Sequence, residues 1–410
     1  MGWPFLAPRP MNLCGALLAA AGFIVAFSLS VQAQDAETPS KSQFAAFLKD
    51  LWASAKADNI SREIFDRAFA GVAPDPRVIA LTAKQPEYVR PVGDYIARIA
   101  TEAMAKAGSR KASQWDATLE RLRHTYGVDS WVLMAVWGME SDFGTVPLRW
   151  DAVRSLATLA AAGYRDPYFR KELLLALKIL ESGDVAQGKM TGSWAGAMGQ
   201  PQFMPSAFFD FAVDYSGDAR RDIWSSVPDV LASMSNYLQK KGWQAGLTWG
   251  YEVTVPAGFD YMLSRGSFAE WKERGVKRAN GDPLPGEGSA ILFFPSGAGG
   301  PGFLVTDNFV VLKRYNNSDA YALAIGQLAD RMQGIGPFRA AWPKDDKPLS
   351  RAQRIAVQKK LAELGYPVQE FQGHFDFDLR DAVRDVQKKN GFVPDGNPTP
   401  ELMEKLGIPL

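Results

Sequence analysis

Cysteine is almost missing: the 410-residue chain has one, Cys14, and two histidines, His124 and His374. That excludes a disulfide framework and a Cys/His zinc site, and leaves little choice of base for a serine-type triad. Charge of one sign is lacking too. Forty-six Lys and Arg against 45 Asp and Glu leave +1, too weak a field to condense on nucleic acid or anionic lipid. No glycine-rich phosphate loop occurs, so nucleotide chemistry is not expected. What remains is ordinary globular composition, 47% hydrophobic and 22% charged, on a chain long enough for two or three domains.

Arg9 precedes an apolar run from Met11 to Val31, and Val31-Gln32-Ala33 supplies small residues before a cut after Ala33. This is the pattern of a secretory signal over residues 1–33. Cys14 sits inside the apolar run behind Leu13, which does not fit a lipoprotein site. An uncleaved anchor is the alternative, because about 20 apolar residues can span a bilayer. Either way the remainder is expected to work outside the cytoplasm.

From Ser42 to about Gly246 the periodicity is mostly helical. Asp166 as cap, Pro167 in the first turn, Glu172 to Leu180 and a closing Gly183 predict one helix; Ser226-Val227-Pro228 opens another that stops at Gly242. The period then changes to two. Trp249, Tyr251, Val253 and Val255 alternate with polar or small residues, and Ala290 to Phe294 and Phe303 to Leu312 are β-rich runs. A small sheet inserted in a helical domain is expected, with helix resuming from Ser318 to Met332. Proline-rich, charged residues 337–348 are read as a linker between a domain at 34–336 and a second at 349–410. That second unit shows Ser350 as a cap, a helix near Leu379 to Lys389, and Thr399-Pro400 opening a third helix.

Asp129 caps a run, Trp131 to Trp137, that is apolar on all sides and must be buried. Glu140 follows at its C-terminal end. Desolvation by Trp137, Met139 and Phe143 and the negative pole of the helix both favour its protonated form, as a general acid requires. On spacing alone a solvent-facing Glu at a frayed helix end is the preferred reading. Asp142, two residues on, shares no helix face with Glu140, and nothing fixes the distance to Asp151 or Asp166. Between Thr191 and Ser206, Gly192, Gly196, Gly199, Pro201 and Pro205 describe a loop that lets backbone approach a ligand, with Ser193 and Gln202 as hydrogen-bonding groups. Tyr315, Asn316 and Tyr321 are read at a strand end and a helix cap, where they could line a sugar-binding groove. Asp214 to Asp222 has oxygens at alternate positions like a calcium loop, but Ala219 and Ser225 replace the usual Gly and Glu, so an Asx-rich turn is preferred and no metal is assigned. His124 and His374 are read as bystanders.

Three ordered blocks carry a family resemblance: Val136 to Gly144, Gly196 to Ser206, and Arg314-Tyr315-Asn316 followed by Tyr321. Over about residues 42–335 the chain resembles the lytic murein transglycosylases of the B type. The tail, with Leu364-Gly365-Tyr366, Gln387 and Asp395-Gly396, resembles the three-helix peptidoglycan-binding domain, departing at Gln372-Gly373 where Asp-Gly is common. The resemblance implies a mainly α (α+β) fold, with a lysozyme-like catalytic core, a small inserted sheet and a three-helix C-terminal domain. It implies Glu140 as catalytic acid, and Ser193, Gln202, Phe203, Tyr315, Asn316 and Tyr321 as groove residues. One carboxylate would protonate the oxygen between N-acetylmuramic acid and N-acetylglucosamine. The substrate's acetamido group would assist, and the same carboxylate would then take the C6 hydroxyl proton to leave a 1,6-anhydro ring. No cofactor is needed. The expected partner is the peptidoglycan strand, with no nucleic acid, peripheral contact with cell-envelope proteins, and a monomeric periplasmic protein. A hydrolytic muramidase and a non-catalytic wall-binding protein are the competing readings.

Overall fold

The computed structural model describes residues 37–82 and 90–409; the signal-type segment and Cys14 lie outside the described residues. Helices precede the sheet: α1 Lys41–Ala57, α2 Arg62–Phe69, α3 Pro76–Thr82, α4 Val92–Ile99, α5 Glu102–Gln114, α6 Asp116–Tyr126, α7 Ser130–Ser141, α8 Ala152–Ala161, α9 Tyr168–Ser182, α10 Pro205–Phe211 and α11 Val227–Lys240. Strands β1 Trp150–Asp151 and β2 Thr191–Gly192 pair with each other. After α11 come β3 Gly250–Thr254, β4 Arg265–Ser267, α12 Phe268–Glu273, β5 Lys277–Arg278, β6 Ser289–Phe293 and β7 Gly302–Val305. Then follow α13 Asp307–Tyr315, α14 Asp319–Met332, α15 Arg351–Glu363, α16 Phe377–Lys389 and α17 Pro400–Lys405. Among the described residues no helix is long and apolar enough to cross a membrane.

The inserted sheet is antiparallel throughout, in the order β4-β6-β7-β3-β5. Its two-residue period sorts the side chains. Leu292, Phe294 and Leu304 join Val253, Phe268 and Trp271 in a satellite core, while Phe293, Phe303 and Val305 face the main helical core. Both faces of β6 and β7 are therefore covered, which is why these strands read as continuous apolar runs.

Two expectations need correction. The run Phe303 to Leu312 is not one strand: β7 ends at Val305, and Thr306 caps α13 by accepting from the Asn308 amide at 3.2 Å. Asn308 is wholly buried and donates to the carbonyls of Gln244 and Leu247 at 2.9 and 2.6 Å. With Phe309 and Leu312 stacked on one buried helix face, these contacts override the β preference of Val310 and Val311. Arg314 and Tyr315 thus end a helix, not a strand. Nor does Asp166 cap α9; Pro167 holds that position without a side-chain bond, whereas Gly183 does stop the helix in left-handed backbone.

Helices α15 to α17 enclose a core of their own around Val357, Leu361, Val383, Val386, Leu402 and Met403. Residues 337–348 form neither helix nor strand, yet they are fastened to the sheet. Glu252 accepts from the amides of Arg339 and Ala340 at 2.8 and 2.7 Å, and Phe338 packs edge-on to Phe303 at 4.8 Å. The described residues cluster as one compact unit.

Candidate active site

Asp129 accepts from the amides of Trp131 and Val132 at 2.9 and 3.0 Å, starting α7. The helix is buried from Val132 to Gly138, and Glu140 emerges near its end, still partly accessible. There the chain turns through left-handed backbone, with φ of 48° at Asp142, 57° at Phe143 and 76° at Gly144. Such a backbone is costly for a bulky residue. Phe143 is held there because its ring packs edge-on to Trp137 at 5.7 Å and lies on Gly138, where a β-carbon would come within 2.6 Å of it.

The Glu140 carboxylate accepts a hydrogen bond from the Tyr321 hydroxyl. Burial pushes its pKa up to about 7, and the Tyr321 bond opposes that rise only in part. Near neutral pH the protonated acid is therefore well populated. Burial, and next the nearby Glu140 carboxylate, raise the Tyr315 and Tyr321 hydroxyls well above the usual tyrosine range, so both remain neutral donors.

The glycine-rich segment folds back on itself, with Met198 bridging both Gly192 and Phe203. Gly199 has φ of 64°, and a β-carbon there would lie 2.5 Å from the Ile223 carbonyl, so both conformation and space require glycine. Ser193 Oγ accepts from the Ala197 amide at 3.1 Å, and Gln202 Nε2 donates to the Gly199 carbonyl at 2.7 Å. Phe203 is buried at the centre of an aromatic cluster, 5.8 Å from Tyr237 and 6.1 Å from Tyr315. Tyr315 Oη in turn donates to the Pro201 carbonyl at 2.6 Å.

The tertiary structure thus joins Glu140 to Tyr321, and Tyr315 to Phe203 and the loop. Ser193, Gln202 and Asn316 are partly exposed, and among the described residues none has a hydrogen bond to Glu140. Of the other acids, Asp142 accepts from Thr145 Oγ1 at 2.7 Å and Asp151 caps α8. His124 lies beside Glu120 at 2.9 Å on the surface, and His374 lines a cavity of about 440 Å³ between α14 and the C-terminal helices.

Sequence reasoning missed three buried polar groups, two that hold the glycine-rich loop and one that holds residues 215–222. Gln200 accepts from Trp137 Nε1 at 2.8 Å and donates to the Trp224 carbonyl at 2.9 Å, tying the loop to α7. Glu172 takes both the amide and the hydroxyl of Ser206, at 2.9 and 2.7 Å. Its position offered a signal: Phe169, Glu172, Leu173 and Ala176 form the buried stripe of α9, where an acid is out of place unless it binds something. Asp229, also wholly buried, accepts from the amides of Tyr215, Ser216 and Asp222 at 3.0, 2.8 and 3.1 Å.

Asp214, Asp218 and Asp229 bring carboxylate oxygens within 4.8 Å of one another. The loop's own groups already use them: Asp214 accepts from Gly217 and Ala219 amides at 2.7 and 2.8 Å, and Asp218 pairs with Arg220 at 2.7 Å. As folded, this is an amide-closed turn more than a preformed cation cage.

A mainly helical body with a small inserted antiparallel sheet is the build of a lysozyme-like α+β protein; besides Glu140, burial also raises Asp330, on α14 beside Trp249, to about 7. Residues 43–330 match the transglycosylase SLT domain family and residues 350–406 the peptidoglycan binding domain family. The chain belongs to the transglycosylase SLT family. It is 32% identical over 224 residues to the membrane-bound lytic murein transglycosylase B of Escherichia coli (strain K12), an alignment covering 53% of this chain and 60% of that protein. Among solved structures it resembles SltB3 from Pseudomonas aeruginosa in complex with NAG-anhNAM-pentapeptide, at 44% identity and TM-score 0.80, covering 89% of this chain and 99% of that one. SltB1 from the same organism is similar at 27% identity and TM-score 0.61, covering 72% of this chain and 99% of that chain.

Proposed function

We propose that the protein is a peptidoglycan lytic transglycosylase of the periplasm, cleaving the β-1,4 bond between N-acetylmuramic acid and N-acetylglucosamine. One observation carries this: Glu140, with a pKa near 7, sits at the mouth of a buried helix against Tyr321. Protonated Glu140 donates to the glycosidic oxygen as the C1–O bond breaks, and the muramoyl acetamido oxygen stabilises C1. The C6 hydroxyl then attacks C1, and the Glu140 carboxylate takes its proton, restoring the acid and closing the 1,6-anhydro ring without water. Asp142 and Asp151 are engaged elsewhere, which suits an acid working without a carboxylate partner. Ser193, Gln202 and Asn316 contact the sugars, while Phe203 and Tyr315 form the floor beneath them. The C-terminal helices hold the wall.

Mass spectrometry of digested murein tests the reading. Anhydro ends, one water lighter than hydrolysed ends, are expected, and Glu140→Gln should release no soluble muropeptide while still binding sacculi. Hydrated ends would make the protein a muramidase, and an inactive wild type would make it a wall-binding scaffold.

A further inference from the structure

Tyr315 and Tyr321 stand at the two ends of a short segment that joins α13 to α14, and each reaches the candidate site through its hydroxyl. Between them the segment carries Asp319, the first residue of α14. The Asp319 carboxylate is gripped at both oxygens by cations from different parts of the fold. Lys313 Nζ, on α13, lies 2.7 Å from Oδ1, and Arg380 Nη2, on α16 of the C-terminal helices, lies 2.6 Å from Oδ2. The three side chains are 9%, 8% and 17% exposed for Lys313, Arg380 and Asp319. Lys313 also donates to the Phe375 carbonyl at 3.1 Å, and Arg380 to the Gly396 carbonyl at 3.1 Å, both acceptors belonging to the C-terminal part. A carboxylate held this way cannot swing aside without leaving a buried cation uncompensated, which is costly.

We propose that Arg380 and Asp319 are positioning residues: the C-terminal helices clamp the first turn of α14 from outside and so fix the Tyr321 hydroxyl on Glu140. The C-terminal part then supports the reaction as well as binding the wall. The other fastenings make a contrast. Arg384 donates to the Leu292 carbonyl of β6 at 3.0 Å and Asp395 accepts from the Ala298 amide, in the loop after β6, at 2.8 Å; neither of these bonds involves the segment 313–321. A plain anchoring role would treat Arg380 and Arg384 alike.

This inference rests on Glu140 as the acid, so its test reads Glu140 directly. In the full chain labelled with 13C-carboxyl glutamate, the Glu140 resonance is assigned by its loss in Glu140→Gln and titrated. Its surroundings include Tyr321 from α14 and Tyr315 from α13, with Tyr95 of α4 beside Tyr321. Loss of the Tyr321 donor must raise the Glu140 pKa, since that bond favours the carboxylate. We expect Arg380→Met to shift the titration upward as Tyr321→Phe does, and to lower kcat on murein roughly tenfold with little change in KM. Arg380→Lys should recover part of both, and Arg384→Met should lower the melting temperature with the titration and kcat unchanged. If Arg380→Met does not fold, Arg380→Lys carries the test through a partial upward shift. A wild-type Glu140 titration in whichever of these folds, or equal shifts for Arg380→Met and Arg384→Met, overturns the proposal. Inactivity of the wild type on murein overturns the glycan reading alone, because the titration needs no substrate.

Discussion

At the scale of one residue, Glu140 places reactivity and stability in opposition. Its pKa is raised from 4.5 to about 7 by burial. Below pH 4.5 the folded and unfolded chains both hold the proton, and the burial has no electrostatic cost. Between the two values the unfolded chain releases its proton first, so the folded state loses stability as pH rises, and above the upper value the loss is complete. That gap is worth up to about 3 kcal/mol. Glu140→Gln keeps an acceptor for Tyr321 and removes the ionisation, so it should raise the melting temperature by several degrees at pH 8 and barely at pH 4. An equal change at both pH values would show that desolvation is not what lifts this acid. In the active protein, turnover that requires the protonated form should decline as pH rises through about 7.

At the scale of elements, α7 and its exit are a packing solution around one glycine. By intrinsic preference alone, Gly138→Ala should stabilise a helix interior by about 1 kcal/mol. The structure predicts the reverse, because the new methyl would lie 2.6 Å from the Phe143 ring, which is already fixed against Trp137. A net loss of about 1 to 3 kcal/mol is expected in urea unfolding, with Glu140 displaced and kcat reduced; a gain in stability would mean that Phe143 moves freely. Element α13 teaches a related lesson. Val310 and Val311 favour a strand, and only the burial of Asn308 under the Gln244 and Leu247 carbonyls shows why the chain coils there. Tyr315 consequently comes off a helix end, which directs its hydroxyl to Pro201.

At the scale of the whole molecule, the C-terminal helices share a core with the rest. Phe377 of α16 packs on Phe293 of the sheet at 5.6 Å and on Phe309 of α13 at 6.3 Å. With residues 337–348 fastened to Glu252, the C-terminal part has little freedom to unfold alone. Calorimetry should therefore show a single transition, and Phe377→Ala should lower the stability of the entire molecule by about 3 kcal/mol. Two separated transitions, with only the smaller one sensitive to Phe377, would mean that the parts are independent.

The amino-acid order determined a good deal. Helix limits at Asp129, Ser226, Ser318 and Ser350 were readable because caps and periodicity act over a few residues. An acid after an all-apolar helix was legible as a candidate proton donor for the same reason. Which groups meet Glu140 was not. Tyr321, 181 residues away, meets it only when the core closes, and so do the partners by which Gln200 and Glu172 fasten the glycine-rich loop. Burial and hydrogen bonding between distant segments set the pKa of an acid, and no local window of sequence contains that environment.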